Sequence, residues 1–141
     1  MRQRSSGFGH LRNVALFSAC TDKELELISA ATTPVHVDAG TVMAREGLAG
    51  HEFIAIVEGR ARVEIGGRIV AELGEGDFFG EVALLDGGPR TATVVAETDV
   101  VAEVIGQREF GYVVEQAPHM ARSLLLGLAR RLRAADLQLT G

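Results

Sequence analysis

The chain has 141 residues, of which 47% are hydrophobic and 23% charged, a composition typical of one globular domain that can bury its own apolar core. A net charge of −5 argues against a general nucleic-acid-binding surface, and a single cysteine, Cys20, excludes a disulfide within the chain. No apolar run approaches the roughly 20 residues of a membrane span, and residues 1–10 lack the apolar centre of a secretory signal, so a cytoplasmic location is expected.

Residues 8–33 are predicted to be helical. Thr21 and Glu24 have the spacing of a capping box, in which each side chain accepts a hydrogen bond from the backbone of the other residue. Apolar residues with helical spacing follow from Leu25 onward, so a helix is expected to begin directly after Thr21.

Residues 35–105 are predicted to form β-strands, because short segments rich in β-branched residues alternate there with glycine-containing turns. These segments are 35–40, 41–45, 52–59, 60–67, 68–73 and 91–105. Gly66 and Gly67 indicate a two-residue hairpin turn between two of them. Many short strands with frequent turns favour a closed antiparallel barrel or jelly roll.

Residues 106–139 return to a helical pattern, which Pro118 divides into two helices. The chain from residue 1 to residue 141 is therefore predicted to be a single α+β domain. Its centre would be an antiparallel β-roll or jelly-roll barrel, with helices before and after it.

The segment 79–94, which reads FGEVALLDGGPRTATV, has the features of an anion site. Gly80 lets the backbone approach a ligand closely, and the short helix after it would leave the amides of Val82 and Ala83 free as donors. The Gly-Gly-Pro loop that follows would bring Arg90 back towards those amides, where its guanidinium fork could bind a phosphate.

Arg90 lies in the most acidic part of the chain. Between Glu64 and Glu103 there are nine acidic residues and two basic ones, Arg68 and Arg90. An arginine in such a field is either a surface ion-pair partner or the counter-charge of a bound anion. The residues that flank Arg90 favour the second interpretation.

Those flanking residues resemble the phosphate-binding cassette of cyclic-nucleotide-binding domains. The matching residues are Phe79-Gly80-Glu81, Ala83-Leu84 and Pro89-Arg90-Thr91-Ala92-Thr93-Val94, with the acid and the arginine at the family's spacing. The likeness covers about residues 11–137, because the N-terminal helices, the strands before the cassette and the two C-terminal helices have counterparts in the family. In relatives the two C-terminal helices are the hinge and the lid.

The resemblance implies a role for each matching residue. Arg90 would pair with the cyclic phosphate, with Thr91 as a further hydroxyl donor, and Glu81 would accept a hydrogen bond from the ribose 2′-hydroxyl beside the Gly80 backbone. The other implied contacts are Val63, Val70 and Ala71 around the base, Phe79 and Val82 within the cassette, Ala83 and Ala92 with amides towards the phosphate, and Arg131 of the lid near the base. Without ligand, Glu81 is expected to form a salt bridge to Arg90 or a similar contact.

The implied ligand is a cyclic nucleotide, and cAMP is favoured over cGMP. Ala135 stands where some relatives carry a threonine that reads adenine, and Thr91 helps some relatives to hold cGMP, so a cGMP-binding module is kept as an alternative. The implied function is a regulatory module whose C-terminal helix changes position on ligand binding. A further alternative is a ligand-silent domain that serves dimerisation or structure.

The last helix carries a stripe of apolar residues at alternating steps of three and four: Leu125, Leu128, Leu132, Ala135 and Leu139. That spacing is typical of a coiled-coil seam, and relatives pair through this helix, so a homodimer is predicted. The alternative interpretation is that the stripe packs on the chain's own barrel.

The sequence offers little support for an enzyme. The Gly-Gly-Pro-Arg-Thr stretch lacks the lysine of a Walker loop, Cys20 has no histidine beside it in sequence, and no two histidines have metal-ligand spacing. The histidines are His10, His36, His51 and His119. We therefore expect no catalytic residues, no metal and no cofactor. Because no helix-turn-helix follows the lid, we also expect no specific DNA binding, and the downstream effector protein is left open.

Overall fold

The computed structural model describes the backbone of residues 9–140 and side chains as far as Leu137. Within this range the chain forms eight β-strands and, from Asp22 onward, four α-helices. The strands are Thr33–Val37 (β1), Val42–Ala44 (β2), Glu52–Glu58 (β3), Ala61–Ile65 (β4), Arg68–Leu73 (β5), Phe78–Phe79 (β6), Thr93–Ala96 (β7) and Val100–Gly106 (β8). The helices are Asp22–Ala31 (α1), Glu81–Asp86 (α2), Gln107–Gln116 (α3) and Pro118–Thr140 (α4), and two 3-10 helices, His10–Asn13 and Ala15–Phe17, precede α1.

The N-terminal region has the predicted capping box but not one continuous helix. The Glu24 amide donates to Thr21 Oγ1 at 3.1 Å and the Thr21 amide donates to Glu24 Oε1 at 2.9 Å, so α1 begins where the sequence indicates. It ends two residues before the predicted boundary because the residue before Pro34 is forced into extended backbone, and Thr33 already belongs to β1. Phe8, the first residue of the predicted stretch, lies outside the described residues.

The strands form two four-stranded antiparallel sheets, in the orders β1-β8-β3-β6 and β2-β7-β4-β5. Small and β-branched side chains from both sheets form the core between them: Ala44, Ile54, Ile56, Ala61, Val94, Ala96, Val100 and Ala102. This arrangement confirms the predicted α+β jelly roll. The predicted segment 91–105 contains two strands separated by residues 97–99, and β6, only two residues long, was not predicted.

The helices pack around Phe53, on the face of the first sheet that is turned away from the second. The centroid of the Phe53 ring lies 5.1 Å from that of Phe110 in α3, in a stacked pair. It also lies 6.0 Å from the ring of Phe17 and 5.6 Å from that of Phe78. Buried residues of the 3-10 helices, α1 and the start of α4 complete this second apolar cluster, so both terminal regions share one core.

Helix α4 has a packed half and an exposed half. Met120 and Leu124 are buried in the helical core, and Leu128 packs partly against it. From residue 129 to residue 137 every side chain is exposed. Neither α4 nor any other helix in the described part of the chain is long and apolar enough to cross a membrane.

The predicted apolar stripe is therefore divided between two environments. Leu128 packs partly on the chain's own core, as the alternative interpretation requires. Leu125 and Leu132 are instead 68% and 64% exposed, and Ala135 is exposed as well. The side chain of Leu139 lies outside the described residues.

Candidate ligand-binding site

A cavity of about 380 Å³ lies between the segment around α2, the second sheet and helix α4. Its lining residues are Ala44, Val63, Ala71, Leu73, Phe78, Phe79, Gly80, Glu81, Val82, Ala83, Arg90, Thr91, Ala92, Val94 and Arg131. The volume falls within the range of about 300–1,000 Å³ that is typical of small-molecule sites. The wall is mostly apolar, with one acid and two arginines, which suits a ligand that has both a ring system and a charged group.

Gly80 determines how the chain enters the wall of the cavity. It adopts a φ of 100° immediately before α2, a left-handed conformation that favours glycine. A Cβ atom at this position would lie 2.5 Å from the carbonyl oxygen of Glu52 and 2.7 Å from Arg90 Nη1, so there is no room for a side chain. After this turn Glu81, Val82 and Ala83 all line the cavity.

Arg90 provides a positive charge in the cavity wall. Its Nη1 donates to the backbone carbonyl of Glu52 at 3.2 Å. Burial lowers the pKa of the Arg90 guanidinium, and the Glu52 carboxylate acts in the opposite direction. The guanidinium still stays protonated at neutral pH, because the intrinsic pKa of arginine is far above 7.

Glu81 forms a salt bridge to an arginine, as expected, but its partner is Arg131 of α4, so the prediction of Arg90 as the partner is wrong. Arg131 Nη1 donates to Glu81 Oε2 at 2.9 Å. The Glu81 side chain is 8% exposed, whereas that of Arg131 is 62% exposed. Arg131 reaches the carboxylate from α4, while Arg90 is bonded to a backbone carbonyl. This ion pair joins the exposed half of α4 to the β-roll.

Eleven of the twelve predicted contact residues line this one cavity, and Val70 does not. Val70 is 55% exposed. The register of β4 and β5 changes there, from Val63 opposite Ala71 to Glu64 opposite Ile69, so Val70 is the additional residue of a β-bulge. The prediction came from the resemblance, which named the adjacent residues Val70 and Ala71 on a strand that lines the base pocket in relatives, and only Ala71 lies in the cavity wall.

Four residues of the cavity were not predicted: Ala44, Leu73, Phe78 and Val94. Leu73 follows Ala71 at the two-residue spacing of one strand face, and Val94 pairs directly with Val63 across β4 and β7. Alternation along β5 was therefore a sequence signal that could have found Leu73, whereas the pairing that places Val94 is visible only in the structure.

Outside the cavity, two histidine–carboxylate contacts connect the N-terminal region to the rest of the fold. His10 Nε2 lies 2.9 Å from Glu103 Oε2. The His119 amide donates to Glu24 Oε2 at 3.1 Å, and His119 Nδ1 lies 3.1 Å from Glu24 Oε1. Burial acts to raise the pKa of Glu24, but the hydrogen bonds from Thr21 and His119 outweigh it, and the pKa of this carboxyl is lowered.

The remaining candidate for chemistry, Cys20, is buried near Glu24. Burial, with a smaller contribution from the Glu24 carboxylate, raises the pKa of the Cys20 thiol to about 11. The thiol is therefore protonated at neutral pH and is not a nucleophile. In the part of the chain that the structure describes, no group of three or more His, Cys, Asp or Glu residues could hold a metal ion.

A family model described as the cyclic nucleotide-binding domain matches residues 34–117. The matched range contains strands β2 to β8 and helices α2 and α3. It also contains every residue of the cavity except Arg131.

The chain is similar to proteins of different kinds. It is 38% identical over 111 residues to the cAMP-dependent protein kinase regulatory subunit of Yarrowia lipolytica, covering 77% of this chain and 30% of that protein. It is 39% identical over 111 residues to a cyclic nucleotide-gated potassium channel of Rhizobium etli, covering 79% and 31%. Among solved structures, the Thermus thermophilus catabolite activator protein superposes with a TM-score of 0.82 at 31% identity, covering 89% of this chain and 62% of that one. The chain thus spans about a third of the length of these first two relatives.

Proposed function

The chain belongs to the cyclic nucleotide-binding domain family, and on this premise we propose that its cavity binds a cyclic nucleotide, with cAMP as the preferred ligand. One observation carries the proposal: an acid and a base, Glu81 and Arg90, line the same cavity and are not paired with each other. The organisation of residues 1–141 as a single domain is part of the same proposal.

Each part of a cyclic nucleotide matches one group in the cavity. A phosphate monoanion suits the planar fork of Arg90, and a ribose hydroxyl suits the carboxylate of Glu81 as acceptor. A purine ring suits the apolar wall that includes Val63 and Ala71. The proposed contacts are Val63, Ala71, Phe79, Gly80, Glu81, Val82, Ala83, Arg90, Thr91, Ala92 and Arg131.

We infer that ligand binding changes the position of α4. The Glu81–Arg131 ion pair joins the exposed half of this helix to the β-roll, and a ribose that bonds to Glu81 would alter that contact. A ligand shifts an equilibrium by its difference in affinity for the two states. A nucleotide that touches α4 only when the helix covers the cavity would therefore favour the covered state.

A cGMP-binding module is the second candidate. It is favoured by Thr91, whose hydroxyl belongs to a residue of the cavity wall. Ala135, in the exposed half of α4, has no polar side-chain atom with which to read the amino group of adenine. The preference for cAMP is supported by the name of the Yarrowia relative, a cAMP-dependent kinase subunit.

We also propose that the chain forms a homodimer through the exposed side of α4. Leu125 and Leu132 are seven residues apart, which is one heptad, and both are exposed. Burying a leucine side chain contributes about 1.5–3 kcal/mol, so a second copy that covers both would gain from the contact. Within this proposal the module has no catalytic activity, does not bind DNA specifically and acts in the cytoplasm, and all three attributes stay predictions.

The central test is isothermal titration calorimetry with cAMP and with cGMP. Removing one side of a buried, charged hydrogen-bonded pair costs about 2–5 kcal/mol, at about 1.4 kcal/mol per tenfold. Arg90→Ala should therefore weaken binding by about thirty-fold to a few thousand-fold. Arg68→Ala is the matched control, because Arg68 is an exposed arginine in the same acidic part of the chain, and it should bind like the parent.

A second variant separates the sugar from the phosphate. Glu81→Ala should cost about 1.5–3 kcal/mol of binding free energy and should reduce the preference for cAMP over 2′-deoxy-cAMP. Arg90→Ala should leave that preference largely intact. A parent protein that binds neither cAMP nor cGMP below about 1 mM would refute the proposal in favour of the ligand-silent domain. Unchanged cAMP affinity in Arg90→Ala, with a large loss of stability, would make Arg90 a structural residue.

A further inference from the structure

We propose that the loop between β2 and β3, residues 45–51, positions Arg90 for its anion, and that Gly50 determines where the guanidinium lies. The inference rests on the proposed function, because it assigns a positioning role around the arginine of that same site. Gly50 is not among the residues that line the cavity. Its proposed effect on the ligand is therefore through Arg90.

The backbone of the loop forms hydrogen bonds with both the amide and the carbonyl of Arg90. The Arg90 amide donates to the Leu48 carbonyl at 2.8 Å, and the Gly47 amide donates to the Arg90 carbonyl at 2.9 Å. Ala49 and Pro89 form an isolated antiparallel bridge beside them. The loop therefore pairs with the start of the Pro-Arg-Thr segment like a short strand, and this pairing sets the direction from which the arginine side chain starts.

The side chain of Arg90 then passes directly over Gly50. A Cβ atom added at Gly50 would lie 2.6 Å from Arg90 Nε, 2.8 Å from Cδ and 3.0 Å from Cζ. At the other end of the guanidinium, a Cβ at Gly80 would lie 2.7 Å from Nη1. The group thus occupies a slot between two glycines, with Nη1 bonded to the Glu52 carbonyl at 3.2 Å.

Gly50 offers the cleaner way to test the slot. Gly80 has a φ of 100°, and its added Cβ would also collide with the Glu52 backbone, so a substitution there changes several things at once. Gly50 does not have a positive φ, and the three atoms nearest its added Cβ all belong to the Arg90 side chain. An alanine at position 50 would therefore act on the protein through Arg90.

The expected size of the effect follows from the overlap. Ordinary van der Waals contact begins at 3.4 Å, so Arg90 Nε would have to move by about 0.8 Å to accept a methyl group at position 50. A misplacement of about 1 Å in a catalytic group can lower the reaction rate by about a hundred-fold, and we expect a loss of up to that size in ligand affinity. Gly50→Ala should therefore weaken cAMP binding by about ten- to a hundred-fold.

The test compares Gly50→Ala with a matched control, Gly74→Ala. Gly74 lies in a loop, does not have a positive φ and has open space around an added Cβ, so its alanine variant should bind cAMP like the parent. Both variants remove the same backbone freedom from the unfolded chain. Affinity is measured by calorimetry and stability by thermal unfolding of the ligand-free protein. Parent-like cAMP affinity in Gly50→Ala would overturn the proposal.

A double-mutant cycle separates positioning from a general structural effect. In an Arg90→Ala background the atoms that the new methyl group would strike are absent, so Gly50→Ala should change neither the melting temperature nor the remaining cAMP affinity. Equal losses in both backgrounds would show that Gly50 acts without Arg90 and would overturn the proposal. If the parent binds no cyclic nucleotide, the proposed function fails. The melting temperatures of the cycle then still decide whether Gly50 and Arg90 are coupled.

Discussion

Removing Arg131 should destabilise the protein even without ligand, because it leaves the buried carboxylate of Glu81 without its cation. Ion pairs between exposed side chains contribute about 0–1 kcal/mol, whereas removing one partner of a buried pair costs about 3–5 kcal/mol. Here the carboxylate is 8% exposed and the guanidinium is 62% exposed, so the pair lies between these limits. We expect Arg131→Met to lower the free energy of unfolding by about 1–2 kcal/mol.

The assay is urea unfolding of the ligand-free protein, with the loss read from the midpoint at an unchanged slope. Arg130→Met is the matched control, because Arg130 is the exposed neighbour on the same helix and its replacement removes the same charge. It should change the free energy of unfolding by less than about 0.5 kcal/mol. The double variant Glu81→Gln/Arg131→Met should recover part of the loss, because it leaves no unpaired buried charge. Equal midpoints for Arg131→Met and Arg130→Met, or strictly additive effects in the double variant, would refute the reasoning.

Two other features give separate predictions. Leu132→Asp would place a charge in the proposed dimer seam, so light scattering at tens of micromolar should give the mass of one chain where the parent gives two, and a monomeric parent would overturn the dimer proposal. The lowered pKa of Glu24 contributes stability that is fully present above the unfolded pKa near 4.5 and is lost as the pH falls through the lower folded value. Glu24→Gln should therefore flatten the fall in urea midpoint below about pH 4.5, and an unchanged acid transition would contradict this account.

Features that depend on neighbours in the chain were predictable from the sequence. Thr21 and Glu24 form their capping box because both hydrogen bonds are local to one turn of helix. Glu81 and Arg90 line one cavity because the segment that joins them turns back at its glycines and proline. The jelly roll was predictable from many short strands separated by turns. The strand boundaries and the two-residue strand β6 were not.

Features that depend on register or on docking between distant segments were not predictable in the same way. Val70 was assigned to the cavity by resemblance, and the bulge at this residue exists only in the pairing of two strands, which the sequence does not show. The partner of Glu81 lies 50 residues away on a helix whose placement depends on tertiary packing. Periodicity identified the stripe on α4 but could not tell that Leu128 turns towards the chain's own core while Leu132 is exposed.

Strand β3 presents two different contacts on consecutive residues. The carbonyl of Glu52 accepts from Arg90, and the ring of Phe53 contacts the 3-10 region, β6 and helix α3. Consecutive Cα atoms are about 3.8 Å apart. Under the proposed function, a change in the Arg90–Glu52 contact on anion binding would therefore act next to the residue that packs on the helices, without a long series of intermediate residues.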